Sequence, residues 1–329
     1  MKDFQWTFRR GSDRATIPDP GELLRADGET VKHNPSRTVK RVTLPSSGKT
    51  FYLKFETPPT WLRRLRERVH SKSKEEFLMA QRLAECSIPC VEYPLFGRSA
   101  DGTVLVSPAL EGFISGAEYI HRFPLGKIFL NALTALVRKL CENRILHPDF
   151  HAGNLMVRPD KPSELRLIDL AGIRFTHGAI PYEENGHIFT DLSPFLTTEQ
   201  GEQLFRDAGA DPVCWHRELA RTMDELRAAW PRRVGQILSG DSKFARPQTA
   251  GGETYIVRTS PWFSEIPFDP KDMRTEEHPL EEARALWLES FRREIFREKT
   301  ETQAPAAFRE TADGRAVLYY GKTQEEKQK

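Results

Sequence analysis

The sequence predicts an α+β chain of two lobes, a small antiparallel sheet followed by a mainly helical body. Three observations predict it. Short runs of alternating character, broken by turn residues, fill much of the first 110 residues. A long amphipathic stretch, Gly126–Asn143, opens the second part. Directly after it come two strongly apolar runs, Ile145–Val157 and Leu165–Leu170, that carry isolated polar residues.

The elements follow in order. Glu29–Lys32, Thr38–Leu44 and Thr50–Phe55 alternate as strands, separated by the turns His33–Ser36 and Pro45–Gly48. The third strand carries Lys54 among apolar neighbours, where an ammonium is costly unless it meets an anion. The alternative is a lysine on the solvent face of an edge strand. Phe77, Ala80 and Ala84 recur at helical spacing and predict a helix over 74–85. Its phase turns Glu76 toward the sheet and Lys54, whereas Glu75 shares a side with Met79 and Arg82. Ser73-x-x-Glu76 also fits a capping box, in which Glu76 would only satisfy a backbone N–H.

Ahead of that helix, Trp61–Lys74 is the most basic segment, with Leu62, Leu65 and Val69 as an apolar stripe among Arg63, Arg64, Arg66 and Arg68. Such a segment suits an anionic membrane surface, or a solvated helix face. Thr103–Ser107 reads as a strand and Pro108–Gly112 as a linker between lobes. Past the apolar runs, Ala171–Leu196 reads as irregular, with helices expected at Thr198–Ala208, Pro212–Trp230 and Glu281–Lys299. A Gly/Pro-punctuated stretch with Phe244, Tyr255, Trp262, Phe263 and Phe268 precedes the last helix, and the chain from Thr300 reads as a polar tail. The expected organisation is an N-lobe over 1–110, a C-lobe over 111–300 and a tail over 301–329.

The whole-chain quantities set bounds. In 329 residues, 38% hydrophobic and 29% charged composition describes a soluble globular protein long enough for two lobes. A net charge of +2 gives no general attraction for nucleic acid, so any basic surface is local. Cys86, Cys90, Cys141 and Cys214 form no C-x-x-C pair and read as free thiols of a reducing compartment. The N-terminal residues lack the apolar core of a signal peptide, and no run approaches the roughly 20 apolar residues of a membrane span. These features predict a cytoplasmic protein.

The chemistry is concentrated between His147 and Asp169. His147-x-Asp149-x-x-x-x-Asn154, followed by an apolar hairpin that ends in Asp169, has the order and spacing of a kinase catalytic loop and its second acid. Phosphoryl transfer needs one carboxylate at the acceptor hydroxyl, here Asp149. It also needs an amide oxygen and a further carboxylate on Mg²⁺, here Asn154 and Asp169. A metal-hydrolase reading, in which His147, Asp149 and His151 alternate along a strand, is weakened by the lack of a further His/Asp cluster at metal-site spacing.

From about Arg37 to Arg174 the residues resemble the bacterial lipopolysaccharide core kinases, which phosphorylate heptose or Kdo sugars. The resemblance rests on Arg37-Thr38, Tyr52-Leu-Lys54, Glu75-Glu-Phe77, Gly97 and the catalytic stretch. It implies a protein-kinase-like fold with ATP and Mg²⁺ in a cleft. Lys54 would bind phosphates, Glu76 would orient Lys54, Arg37 would join the nucleotide site, and His147 and His151 would support the loop. The acceptor would be a sugar, lipid-linked at the inner membrane of a Gram-negative cell. Asp149-x-His151 also looks like the D-x-H-x-x-N of aminoglycoside and choline phosphotransferases, so a small-molecule or a protein kinase is the alternative. A nucleotide-binding pseudokinase serving as a scaffold is the reading of another class. Three departures stand out: Pro148 in place of arginine, Asp169-Leu-Ala-Gly172 in place of Asp-Phe-Gly, and no glycine-rich loop between Lys32 and Thr38.

Overall fold

The computed structural model describes residues 4–11, 17–58, 60, 71–178, 180–242, 244–259, 268–296 and 304–321. Most of the basic segment Trp61–Lys74, and also Trp262 and Phe263, lie outside the described residues. The chain forms two compact units, residues 1–188 with 204–211, and residues 189–203 with 212–329.

The first unit begins with a six-stranded antiparallel sheet. Its strands are β1 (Gln5–Phe8), β2 (Gly28–Asn34), β3 (Arg37–Thr43), β4 (Thr50–Glu56), β5 (Leu95–Arg98) and β6 (Thr103–Pro108), in the order β1-β5-β6-β4-β3-β2. The period of two sends Leu53 and Phe51 of β4 to one face. There they pack with Val42, Leu95, Val106 and Leu23 of the short helix α1 (Pro20–Arg25). Tyr52 and Lys54 point the other way. Helix α2 (Lys72–Glu85) buries Glu76, Phe77, Ala80 and Leu83. It starts two residues earlier than its apolar spacing indicates, and its N-cap is Ser71, whose side chain accepts from the Lys74 N–H. Ser73 and Glu76 are therefore interior helix residues, and the capping box is not formed.

After β7 (Ile114–Ser115) and α3 (Gly116–Arg122), helix α4 (Lys127–Glu142) buries Phe129, Leu133, Leu136, Val137 and Leu140, a stripe at helical spacing. It leads into β8 (Ile145–Leu146), the loop His147–Asn154, and the hairpin of β9 (Leu155–Val157) and β10 (Leu165–Leu167). β11 (Arg174–Phe175) returns to pair with β8. The region read as irregular contains α5 (Tyr182–Gly186) and a 3-10 segment over His187–Phe195. This unit has the α+β architecture of a protein-kinase-like fold, a small sheet with one main helix joined to a helical part that carries a loop-and-hairpin site.

In the second unit, α6 (Thr198–Ala208, shared with the first) precedes α7 (Val213–Ser239). The helix expected to stop at Trp230 runs on through Pro231 and ends at Gly240, whose φ of 70° is the left-handed conformation that glycine adopts without cost. Proline removes one backbone hydrogen bond, but the turns beyond it bury Ile237 in a core with Phe244, Trp287, Phe291 and Phe308. That core lies between α7, α8 (Leu280–Ile295) and an antiparallel sheet of β12 (Ala245–Ala250), β13 (Glu253–Arg258), β14 (Met273–Pro279), β15 (Ala307–Glu310) and β16 (Arg315–Gly321). The strand order is β12-β13-β15-β16-β14. Within the Gly/Pro-punctuated stretch, β12 and β13 form a hairpin. One sequence expectation is corrected here: residues 307–321, read as polar tail, form two strands that bury Phe308, Leu318, Tyr319 and Tyr320. Among the described residues no helix is long and apolar enough to cross a membrane.

Candidate active site

Lys54 leaves β4 on the face turned toward α2, and its ammonium donates to Oε1 of Glu76 at 2.5 Å. The same ammonium lies 3.9 Å from Asp169 Oδ1. Glu76 is fully buried, and its second oxygen accepts from the Tyr93 hydroxyl at 3.4 Å. Burial raises the Glu76 pKa, with Lys54 pulling against it. Burial and the nearby Glu76 carboxylate push the Tyr93 phenol up as well, so it remains a protonated donor.

The loop His147–Asn154 is held by hydrogen bonds to its own backbone. His151 Nδ1 accepts from the Gly153 N–H at 3.0 Å, which opens the single 3-10 turn Ala152–Asn154. Asn154 Nδ2 donates to the Asp149 carbonyl at 2.9 Å and to its Oδ2 at 3.1 Å. His151 Nε2 stands 3.7 Å from the other carboxylate oxygen. Since Nδ1 accepts, the neutral ring carries its proton on Nε2, the atom that faces Asp149. The Ile168 N–H donates to the Asn154 carbonyl at 3.0 Å, so the hairpin brings Asn154 beside the residue preceding Asp169. Asp169 itself has φ of 51°, an uncommon conformation for a non-glycine residue, and its side chain is 44% exposed.

His147 lies beneath this loop, buried, stacked on Phe150 with ring centroids 5.2 Å apart. Burial lowers its pKa to about 4, so it is neutral near pH 7. Its backbone N–H donates to Asn185 Oδ1 at 3.0 Å, while Asn185 Nδ2 donates to the Ile145 carbonyl at 2.7 Å. Asn185 thus bolts α5 to the loop. No sequence signal marked it, because its partners, two backbone groups and the Cys141 sulfur, lie about 40 residues away.

Of the sequence-predicted residues, the structure gathers Lys54, Glu76 and Asp169 in one group, and His147, Asp149, His151 and Asn154 in another linked to it through Ile168. Arg37 goes elsewhere. Its guanidinium pairs with Glu56 at 3.0 Å, a contact between facing residues of β3 and β4 that involves none of the other predicted residues. Among the described residues no group of three or more His, Cys, Asp or Glu side chains forms a metal cluster. Mg²⁺ does not need one, since it keeps waters and substrate phosphates and takes one or two protein ligands. The Asn154 amide spends its N–H₂ on Asp149 and leaves its carbonyl oxygen available, and Asp169 offers a partly exposed carboxylate. This donor set fits Mg²⁺.

A cavity of about 550 Å³ is lined by Tyr52, two residues before Lys54 on β4, together with Tyr93, residues 107–113, Met156 and Ile168. A volume in this range is ordinary for a small-molecule site. The hairpin turn between β2 and β3, where a glycine-rich loop is missing, is closed by its own side chains. His33 Nδ1 meets the Thr38 hydroxyl at 2.9 Å, and Asn34 Oδ1 accepts from the Ser36 N–H at 3.1 Å.

The fold and the site define a protein-kinase-like scaffold. Comparison with solved structures finds likenesses to protein kinases at low identity. Rad53 residues 1–466 in complex with AMP-PNP matches at 15% identity and a TM-score of 0.34, covering 56% of this chain and 45% of that one. The autoinhibited serine kinase domain of titin matches at 16% identity and a TM-score of 0.40, covering 57% and 67%. The BubR1 kinase domain matches at 15% identity and a TM-score of 0.33, covering 45% and 46%. The chain therefore spans less than half the length of the Rad53 chain. No family model matches the chain, and no curated protein matches it either.

Proposed function

We propose that the chain is an ATP-dependent phosphotransferase acting on a hydroxyl acceptor, specifically a heptose or Kdo sugar of a lipopolysaccharide core, met as a lipid-linked molecule at the cytoplasmic face of the membrane. The observation that carries the phosphotransferase reading is the placement of Lys54 between buried Glu76 at 2.5 Å and Asp169 at 3.9 Å. An ammonium fixed in this way offers its remaining hydrogen-bonding capacity to phosphate oxygens. Asp149, held by Asn154 on one oxygen, accepts the proton of the acceptor hydroxyl through the other. The freed oxygen then bonds to the terminal phosphorus of ATP as the bond to ADP breaks. Asn154 and Asp169 would hold Mg²⁺, which supplies charge neutralisation on the phosphates. The transition state is loose, so positioning and charge carry most of the catalysis.

The sugar acceptor is supported by the resemblance of residues 37–174 to core kinases, and membrane contact by the composition of Trp61–Lys74. The test is transfer of label from γ-labelled ATP to purified heptose- and Kdo-containing core oligosaccharide, with Asp149→Asn as control. Labelling by the wild type alone supports the proposal. ATP turnover on other alcohols but not on these sugars removes the acceptor assignment, and absence of any nucleotide binding removes the phosphotransferase.

A further inference from the structure

We propose that the second unit carries a binding site for a neutral saccharide, a cavity with an aromatic floor and a charge-balanced polar rim. All of its residues belong to that unit, and the inference does not depend on the phosphotransferase reading.

Alternation along β13, β15 and β16 divides their side chains between the two faces of the sheet. Ile256, Phe308, Leu318 and Tyr320 enter the core with α7 and α8. Tyr255, Ala307 and Tyr319 point the other way and form a second cluster with Phe268. Its three rings touch, Tyr255 to Phe268 at 5.2 Å between centroids, Tyr255 to Tyr319 at 5.4 Å and Phe268 to Tyr319 at 5.8 Å. Gln248 Nε2 donates to the Phe268 carbonyl at 3.4 Å and ties that residue to β12. Each ring is more than nine-tenths buried, so its position is fixed before any ligand arrives. A cavity of about 580 Å³ meets the rings at its floor and is also lined by Asp269, Lys271 and Thr275. That volume is ordinary for a small-molecule site.

The polar groups decide the ligand class. The Tyr255 hydroxyl donates to Glu253 Oε2 at 3.2 Å, Arg309 pairs with the same oxygen at 2.8 Å, and Arg309 Nε donates to the Tyr319 hydroxyl at 3.3 Å. Both phenols are thereby engaged, and what the floor offers a ligand is ring carbon. Asp269, Lys271 and Thr275 are exposed at the rim, and Asp269 Oδ1 is oriented by the Lys271 N–H at 3.0 Å. The lining thus holds one carboxylate and one ammonium. A phosphate would meet the carboxylate, and an organic cation would meet the ammonium. Rings in contact also leave no gap for an ammonium among them, which excludes an aromatic cage. A sugar ring matches both parts of the cavity. Its C–H face packs on aromatic carbon, and its hydroxyls both donate and accept, as a rim of carboxylate, ammonium and hydroxyl requires.

The experiment is saturation-transfer NMR and calorimetry on the full chain, with maltotriose, lactose and mannobiose as neutral probes and inorganic phosphate and tetramethylammonium as ionic ones. The wild type is expected to bind at least one sugar saturably and to pass saturation from aromatic protons to its C–H protons. Asp269→Asn keeps the local turn and is expected to weaken that sugar roughly 10-fold, the worth of one hydrogen bond to a charged group. Thr275→Trp, at an exposed position, fills the cavity and is expected to abolish binding while circular dichroism still shows a cooperative thermal transition. Should Thr275→Trp fail to fold, Asp269→Asn decides alone. Absence of saturable binding by all three sugars overturns the site, as does unaltered affinity in either folded variant. Displacement of the sugar by phosphate or tetramethylammonium at equal concentration assigns the cavity to an ion and overturns it too. None of these results bears on phosphoryl transfer, which is read separately with labelled ATP.

Discussion

The Ser73 hydroxyl in the first turn of α2 donates a 2.9 Å hydrogen bond to Oε2 of Glu56, the last residue of β4. The other Glu56 oxygen accepts from Arg37 at 3.0 Å. One carboxylate, two residues beyond Lys54, thus joins the strand carrying the lysine to the helix carrying Glu76. Ser73 is fully buried, and its hydroxyl has no water to fall back on once Glu56 is lost.

Glu56→Ala should therefore cost about 1–3 kcal/mol, the usual penalty for orphaning a buried polar group. Urea unfolding of Glu56→Ala, Ser73→Ala and the double variant measures it. The two single changes should be clearly non-additive. Additive losses would mean that the contact does not couple strand and helix.

The Lys54–Glu76 pair carries a pH signature. The folded-state pKa of Glu76 lies above its unfolded value because burial outweighs the attraction of Lys54. The native state then binds the proton more tightly, and its stability falls as pH rises through the folded pKa. Lys54→Met removes the main opposing charge and leaves a buried carboxylate unpaired, which costs ~3–5 kcal/mol. The loss should be larger at high pH, where Glu76 is charged, than at low pH, where protonation relieves the unpaired carboxylate. Equal losses at high and low pH would contradict a buried, strained carboxylate.

His147 has the opposite sign. Its folded pKa is lowered from 6.5 to about 4, so between these values the unfolded chain binds the extra proton. Stability should fall as pH drops through that window, by an amount on the order of 3 kcal/mol. His147→Phe keeps a ring against Phe150 and removes the titration. Its unfolding midpoint should decline less steeply than that of the wild type between pH 7 and pH 4, as followed by circular dichroism.

Asp149→Asn should retain fold and nucleotide binding, and lower turnover by roughly 10²–10⁴, the usual worth of a positioned base. Steady-state assay of phosphoryl transfer decides this, and undiminished turnover would take Asp149 out of the mechanism.

Asp169→Ala should abolish the Mg²⁺ dependence of ATP binding, because the Asn154 amide brings an oxygen without charge. Calorimetry with ATP, with and without Mg²⁺, reads the difference. Unchanged Mg-ATP affinity would place the metal elsewhere.

Much of the first unit was legible because its signals are local. Polar residues set in apolar strands, as between Ile145 and Asp169, stand out against their neighbours. The phase of α2 alone separates Glu76 from Glu75. What escaped notice depends on partners far along the chain. Arg37, which the resemblance put at the nucleotide site, is instead paired with Glu56 across β3 and β4, a residue that sequence gives no reason to pick out. β16 sits among charged and polar residues that resemble a tail, and besides nearby β15 it pairs with Met273–Pro279, about 40 residues away. α7 outlasts Pro231 because the turns beyond it bury Ile237, a tertiary gain that local propensity does not register.

Among the described residues, the strand order of the second unit leaves β12 and β14 at its borders, each with a row of backbone groups that a foreign strand could adopt. Their sequences discourage this. β12 contains Pro247, which has no N–H to offer a newcomer, next to Arg246. β14 carries Arg274, Glu276 and Glu277, whose charges would be stranded between stacked chains. Growth of the sheet at these two strands is thereby discouraged, and concentrated protein should stay free of fibrous, thioflavin-positive aggregates while Pro247 and these charges are in place.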